Sequence, residues 1–162
     1  MGAVILFDEA GKAIRSEYIL KKRGFSATLV APPRGIRRGC DLSVKVEDSQ
    51  QLQAIRLLDS EGISYLDLAA FTGGQGPVQL TTRKDIGEFI MVRSGNMKLT
   101  FSKDSGIIVN ISGGGCPDIP YIANHLTNAS LAEAESPLLF GTSLCAYLLD
   151  RALVEAKRIF AD

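Results

Sequence analysis

The sequence has little of several residue types on which metal sites and catalytic triads depend. It contains one histidine, no tryptophan and three cysteines in 162 residues. With a single histidine and no Cys-x-x-Cys pair, the chain is not expected to build a zinc site or a Ser-His-Asp triad by itself. His125 is therefore interpreted as an ordinary residue in the last turn of a helix. The odd number of cysteines argues against a disulfide framework and for a reducing compartment.

The sequence also lacks an excess of charge and any long hydrophobic run. Eighteen basic residues balance 18 acidic ones, so no overall field attracts the chain to nucleic acid or to a membrane surface. Apolar runs such as Ala3–Phe7 are far shorter than the roughly 20 residues of a spanning helix. The first residues lack the basic and long apolar segments of a signal peptide. We expect a cytoplasmic protein with no nucleic-acid or membrane partner.

What is present is an ordinary globular composition, 46% hydrophobic and 22% charged, with alternating strand and helix patterns over residues 1–71. The buried run Ala3–Phe7 is typical of a central strand. The remaining patterns predict a helix over 9–23, strands over 26–30 and 42–47, a helix from Asp48 or Ser49 to Gly62, and a strand over 63–69. The order β-α-β-β-α-β predicts a ferredoxin-like unit with its first and third strands central and both helices on one face.

The second half of the chain has a different pattern. Residues 72–85 are rich in glycine and polar residues and are interpreted as a linker to a smaller unit over 86–162. In that unit the patterns predict three antiparallel strands, Phe89–Val92, Met97–Phe101 and Ile107–Ile111, then helices over 117–126 and from about Pro137 to 159. Cys145 falls on the apolar stripe of the last helix and is interpreted as core. The fold class is therefore α+β, and we expect the smaller unit to pack on the first unit or on a partner.

Cys40 is the first candidate for chemistry. It follows a proline-rich loop that contains Arg34, Arg37 and Arg38, and cationic neighbours favour the thiolate, which is the nucleophilic form of cysteine. The alternative is a small buried residue that begins a strand, with solvated arginines nearby.

Cys116 is the second candidate. In the run Gly113-Gly114-Gly115-Cys116-Pro117 the thiol is predicted at the start of a helix, where free N–H groups and the helix dipole stabilise an anion. Asp118 would oppose a thiolate. The same run also fits a turn that needs small residues, or a cradle for a small anion, although no Gly-x-Gly-x-x-Gly is present.

Glu17 is predicted near the middle of the buried face of the first helix. A buried carboxylate needs a partner. A backbone donor or one of the loop arginines could supply it; the alternative, and the commoner outcome for such a residue, is a partly exposed position at the edge of that face.

Five short motifs mark the N-terminal unit, and they are Phe7-Asp8, Ala13–Glu17, Gly24-Phe25, Pro33-Arg34 and Gly39-Cys40. With these motifs the unit resembles, over about residues 3–70, the selenium/sulfur carrier-like domain of unknown function. The resemblance implies a carrier role, with Cys40 in the position of the family's cysteine. This chain differs in having Arg37-Arg38 where small hydroxyl residues are expected and Asp41 where glycine is expected, which makes the loop more basic.

For residues 86–162 no family is identified. The run Cys116-Pro117-Asp118-Ile119-Pro120 is similar to the Cys-Pro-x-Pro of small sulfurtransferase carriers, in which the thiol carries a persulfide. The spacing differs by one residue.

These observations lead to a thiol-based sulfur or selenium carrier or accessory protein. Cys116 and Cys40 would handle persulfide sulfur, assisted by Arg34, Arg37, Arg38 and Gly113–Gly115. A covalent persulfide is the one cofactor-like group implied, and a role that is not enzymatic on its own is favoured. The expected partners are proteins, as sulfur donor, acceptor or members of a larger complex, or further copies of the chain. Two alternatives stay open, a non-catalytic adaptor of a redox or cofactor-assembly complex and a regulatory module that binds a small anion.

Overall fold

The computed structural model describes residues 2–32, 35, 41–71 and 78–162, which form a mixed α+β fold. In these residues there are two antiparallel sheets and four α-helices. The chain divides into two compact units, Met1–Leu80 and Thr81–Asp162. The boundary between them falls within the segment 72–85 that was predicted as a linker, but residues 78–79 and 81–86 are strands, so that prediction is wrong for this part of the segment.

The N-terminal unit is a five-stranded sheet with two helices. Its elements are β1 (Gly2–Leu6), α1 (Ala10–Lys22), β2 (Ala27–Ala31), β3 (Ser43–Val46), α2 (Gln51–Ser60), β4 (Asp67–Phe71) and β5 (Val78–Gln79). The strand order is β4-β1-β3-β2-β5, so β1 and β3 are neighbours and both are interior strands. The prediction of a buried first strand is confirmed, because Ala3, Val4 and Ile5 are each at most 1% exposed.

A glycine terminates each of the two helices in this unit. Gly24 and Gly62 have positive φ, and a hydrogen bond closes each helix behind the glycine, from the N–H of Phe25 to Leu20 and from that of Ile63 to Leu58. The second of these bonds corrects one prediction. Ile63 belongs to the helix cap and not to a strand, so β4 begins at Asp67 and not at residue 63.

The buried carboxylate of Glu17 has a backbone donor, as the sequence analysis allowed. Glu17 is 5% exposed, and its Oε1 accepts from the N–H of Leu29 at 3.1 Å and from Nζ of Lys21 at 2.8 Å. Leu29 lies on β2, so this carboxylate joins α1 to the sheet. The loop arginines lie outside the described residues.

The C-terminal unit is a four-stranded sheet covered by a long helix. Its elements are β6 (Thr81–Ile86), β7 (Phe89–Ser94), β8 (Met97–Ser102), β9 (Ile108–Ser112), α3 (Ile119–Leu126) and α4 (Leu144–Ala161), and the strands follow one another in chain order. The predicted three strands are present, with β6 as a fourth. Sequence reasoning missed β6 because it is an edge strand with exposed polar side chains and so has no apolar alternation.

The apolar stripe predicted on the last helix is confirmed. Its residues are buried and α4 packs on β7 and β8; they are Cys145, Leu148, Leu149, Ala152, Leu153 and Ala156. The start of this helix was predicted wrongly. Pro137–Leu139 forms a single 3-10 turn, and α4 begins after Ser143, whose hydroxyl accepts the N–H of Ala146 at 3.1 Å.

Among the residues that the structure describes, no helix has the length and apolar character needed to cross a membrane.

Candidate functional site

The predicted site residues divide into two groups. Cys40 and its neighbours Arg34, Arg37 and Arg38 lie outside the described residues, so their predicted roles stay predictions. Cys116 and Gly113–Gly115 are described and form the loop between β9 and α3. The candidate site is therefore built around Cys116.

Cys116 does not use the helix that follows it in the sequence. The N-cap of α3 is Asp118, two residues after Cys116, and α3 begins at Ile119. Cys116 therefore lies two residues before the N-cap of α3 and not at the start of this helix, as was predicted. Instead, groups in the first turn of α4 lower the pKa of Cys116, the Cys145 thiol first and then the Cys145 N–H. The anion-stabilising helix N-terminus is that of α4.

The side chain of Cys145 completes a pair of thiols. The Sγ atoms of Cys116 and Cys145 lie 2.7 Å apart, and both cysteines are free. A covalent disulfide has a sulfur–sulfur distance of about 2.05 Å. Cys145 is 2% exposed and Cys116 is half-buried, so one thiol lies beneath the other.

Sequence reasoning missed the role of Cys145. The prediction that Cys145 is buried is confirmed, but its buried sulfur also contacts the sulfur of Cys116. The available signal was Ser143-Leu144-Cys145, which is a good N-cap followed by a cysteine in the first helical turn. Placing the helix start near Pro137 concealed that signal.

The two thiols have opposite pKa shifts. The pKa of Cys116 is lowered, first by its hydrogen bond with the Cys145 thiol, then by the N–H of Cys145 and the hydroxyl of Ser143, against burial and the charge of Asp118. Burial raises the pKa of Cys145, and the hydrogen bond with Cys116 adds to this, against the N–H groups of Gly115 and Cys116. The favoured arrangement is a Cys116 thiolate that accepts a hydrogen bond from the Cys145 thiol.

Asp118 and Ser143 hold the start of α4 against the Cys116 loop. The Ser143 hydroxyl donates to Oδ1 of Asp118 at 2.7 Å, and the Ser143 N–H donates to Oδ2 at 3.3 Å. These bonds lower the pKa of Asp118, the hydroxyl contact being the largest cause. Asp118 thus opposes the Cys116 thiolate by its charge and positions the helix that stabilises it.

Two of the three loop glycines are required by the geometry. Gly113 and Gly114 have φ of 89° and 74°, a region that L side chains rarely adopt. A Cβ on Gly114 would lie 2.6 Å from Sδ of Met97 and 3.0 Å from Sγ of Cys145, whereas a Cβ on Gly115 would meet nothing within 4 Å. The absence of a side chain at Gly114 lets the loop approach Cys145 closely.

His125 lies in the last turn of α3, as predicted, where its Nε2 is 3.2 Å from Oε2 of Glu135 and its ring packs 4.3 Å from that of Phe140. Within the described ranges, no three His, Cys, Asp or Glu side chains form a group that could hold a metal ion.

Comparison with known proteins assigns a family to each half of the chain. Residues 2–69 match the family described as "Putative Se/S carrier protein-like", in agreement with the resemblance seen in the sequence. Residues 80–162 match the Domain of unknown function (DUF8182). An uncharacterized protein of Methanocaldococcus jannaschii is 41% identical over 152 residues, which cover 91% of this chain and 76% of that protein. No solved structure matches the chain. The chain therefore belongs to the DUF8182 family and contains an N-terminal Se/S carrier-like domain.

Proposed function

We propose that the protein carries sulfur or selenium as a persulfide-type group on Cys116. The observation that supports this most is the position of the Cys116 sulfur, half-buried and 2.7 Å from the sulfur of Cys145 in the first turn of α4. A thiolate is the nucleophilic form of cysteine, and a helix N-terminus favours it. The Se/S carrier-like match of the N-terminal domain points to the same class of cargo.

Loading is a simple exchange at sulfur. The Cys116 thiolate attacks the outer sulfur of a donor persulfide, RSSH, and forms Cys116–SSH while the donor leaves as the thiolate RS⁻. No electrons are gained or lost overall, because the sulfane sulfur moves between two thiols. Cys40 is proposed as the second thiol of the pathway, on the resemblance of the N-terminal domain alone.

The fold of the N-terminal domain is part of this proposal. We infer a ferredoxin-like arrangement, supported by the antiparallel order β4-β1-β3-β2 and by the helices α1 and α2 that connect β1 to β2 and β3 to β4.

The Gly113–Gly115 turn supports sulfur chemistry over the binding of a free small anion. The N–H of Gly115 is one of the groups that lower the pKa of the Cys145 thiol. An N–H that acts on a thiol is less available to a phosphate.

The adaptor alternative is favoured by exposed apolar side chains on α3 and in the segment before α4. Tyr121 and Leu139 are 64% and 69% exposed, and the ring of Tyr121 lies 6.2 Å from that of Phe140. In a carrier the same surface would receive a sulfur donor or acceptor protein. The two functions differ in one result, since a pure adaptor would tolerate Cys116→Ser.

The test is a loading experiment with glutathione persulfide. The purified full chain is mixed with the donor, quenched at short times with an alkylating agent, and mapped by mass spectrometry. We expect an alkylated persulfide on Cys116 that is absent in Cys116→Ser. Sulfur found at neither Cys116 nor a disulfide derived from it would disprove the carrier function.

A further inference from the structure

The Cys116–Cys145 pair places a second nucleophile beneath the thiol that takes up sulfur. Its Sγ is 2.7 Å from that of Cys116, and Cys145 is 2% exposed. A carrier that only passes its sulfur onward needs one accessible thiol. A buried thiol in contact with that sulfur has a different use.

We propose that Cys145 discharges a persulfide on Cys116 by attacking the Cys116 sulfur, which forms the Cys116–Cys145 disulfide and releases the outer sulfur as sulfide. This inference rests on the proposed function, since it begins from loaded Cys116. It assigns the protein a second activity, the two-electron reduction of sulfane sulfur, and it applies equally to a selenium cargo released as selenide.

The step balances in atoms and electrons. Cys116–S–S⁻ and Cys145–SH give Cys116–S–S–Cys145 and HS⁻. The bond between the Cys116 sulfur and the outer sulfur breaks, the bond between the two cysteine sulfurs forms, and the proton of Cys145 leaves on the sulfide. The two thiols supply the two electrons. A dithiol reductant must then reopen the disulfide, which makes a dithiol reductase the class of partner that restores the protein.

The direction of attack follows from burial. Displacement at sulfur requires the nucleophile and the leaving group on opposite sides of the attacked atom. Cys145 approaches from the interior and Cys116 is half-buried, so the leaving sulfur departs toward solvent. The two sulfur atoms are already in contact, so forming the disulfide requires only a small movement of two side chains.

Backbone donors support the attacking group. The N–H groups of Gly115 and Cys116 lower the pKa of the Cys145 thiol, against the larger effect of burial. They stabilise the negative charge that develops on Cys145 as its proton leaves. Gly114 permits this approach, since a Cβ there would lie 3.0 Å from the Cys145 sulfur.

The experiment follows sulfide release and disulfide formation after loading. The full-length wild-type chain and Cys145→Ser are loaded with glutathione persulfide, freed of the donor by rapid desalting, and left without added thiol. We expect the wild type to release about one equivalent of sulfide and to yield the Cys116–Cys145 linked peptide, as one exchange consumes one persulfide. Cys145→Ser should keep its persulfide and release at least tenfold less sulfide. Val154→Ser, on the exposed face of the same helix, is the matched control and should behave as the wild type.

The outcomes separate the two proposals. A stable Cys116 persulfide in the wild type, with no sulfide and no linked peptide, would overturn the discharge step while the carrier function stands. Failure of both wild type and Cys145→Ser to acquire sulfur on Cys116 would overturn the carrier function itself. If Cys145→Ser does not fold, the wild type alone decides, because sulfide release and the linked peptide must appear together and in equal amounts.

Discussion

The two helices of the C-terminal unit, α3 and α4, begin in different ways. The N-cap of α3 is Asp118, whose side chain makes no capping bond to its own helix and accepts instead from Ser143. The start of α4 is capped by the Ser143 hydroxyl, and its Cys145 thiol and N–H lower the pKa of Cys116. Cys116 is next to α3 in sequence and next to α4 in space. The comparison teaches that the helix stabilising a thiolate is the one whose N–H groups point to it, and the sequence neighbour need not be that helix.

The largest expected effect is on the alkylation of Cys116. The Cys145 thiol and N–H at the start of α4 lower the pKa of Cys116. In the folded chain its alkylation by iodoacetamide should therefore become fast at a lower pH than in an unfolded chain, whose thiol pKa is about 8.5. Cys116→Ser should remove this fast alkylation. In the wild type, unfolding in urea should raise the pH at which the alkylation rate of Cys116 is half-maximal. A midpoint unchanged by unfolding would refute the role of α4.

Next in size is the effect of filling the space between the loop and α4. Gly114→Ala should destabilise the protein by about 2–4 kcal/mol, because φ is positive and the new Cβ would overlap Met97 and Cys145. Gly115→Ala is the matched control, since its Cβ would meet nothing within 4 Å. Urea unfolding of both variants measures the difference. Equal stabilities would mean that the close approach at Gly114 is not required.

A pair of variants at the start of α4 should shift the Cys116 pKa in opposite directions. Ser143→Ala removes the cap of α4, the helix that lowers the Cys116 pKa, so the pKa should rise and stability should fall by about 1 kcal/mol. Asp118→Asn keeps one acceptor for the Ser143 hydroxyl but removes a negative charge, so the pKa should fall further. The pH profile of Cys116 alkylation measures both. Shifts of the same sign would contradict the arrangement.

The smallest effect is the acid dependence of stability through Asp118. Its pKa is lower in the folded chain than the value of about 3.9 in an unfolded one. The carboxylate therefore stabilises the fold above the unfolded pKa, and this contribution is lost as the pH falls through the folded pKa. Urea midpoints of the wild type and Asp118→Asn should differ near neutral pH and converge in acid. A difference that grows on acidification would have the wrong sign.

Much of each unit could be predicted because its signals are local. Each of these patterns involves only residues that are close in the sequence; they are the run Ala3–Phe7, the glycine at position 24 and the apolar stripe of the last helix. The edge strand β6 was missed, since an exposed polar strand lacks that pattern. The Cys116–Cys145 pair was missed for another reason. The two residues are 29 positions apart, and their contact depends on where α4 begins, which local patterns placed at Pro137.

The position of Cys145 on the helix that packs against β7 and β8 has a mechanical consequence. A bond between the two sulfurs would close a covalent ring across a sequence separation of 29 positions and tie the β9–α3 loop to the hydrophobic core. Restricting the unfolded chain in this way is worth on the order of 3–4 kcal/mol. The melting temperature of the C-terminal unit should then be higher when the two cysteines are joined than when they are free thiols. A thermal melt would distinguish the oxidised protein from the reduced protein that can take up sulfur again.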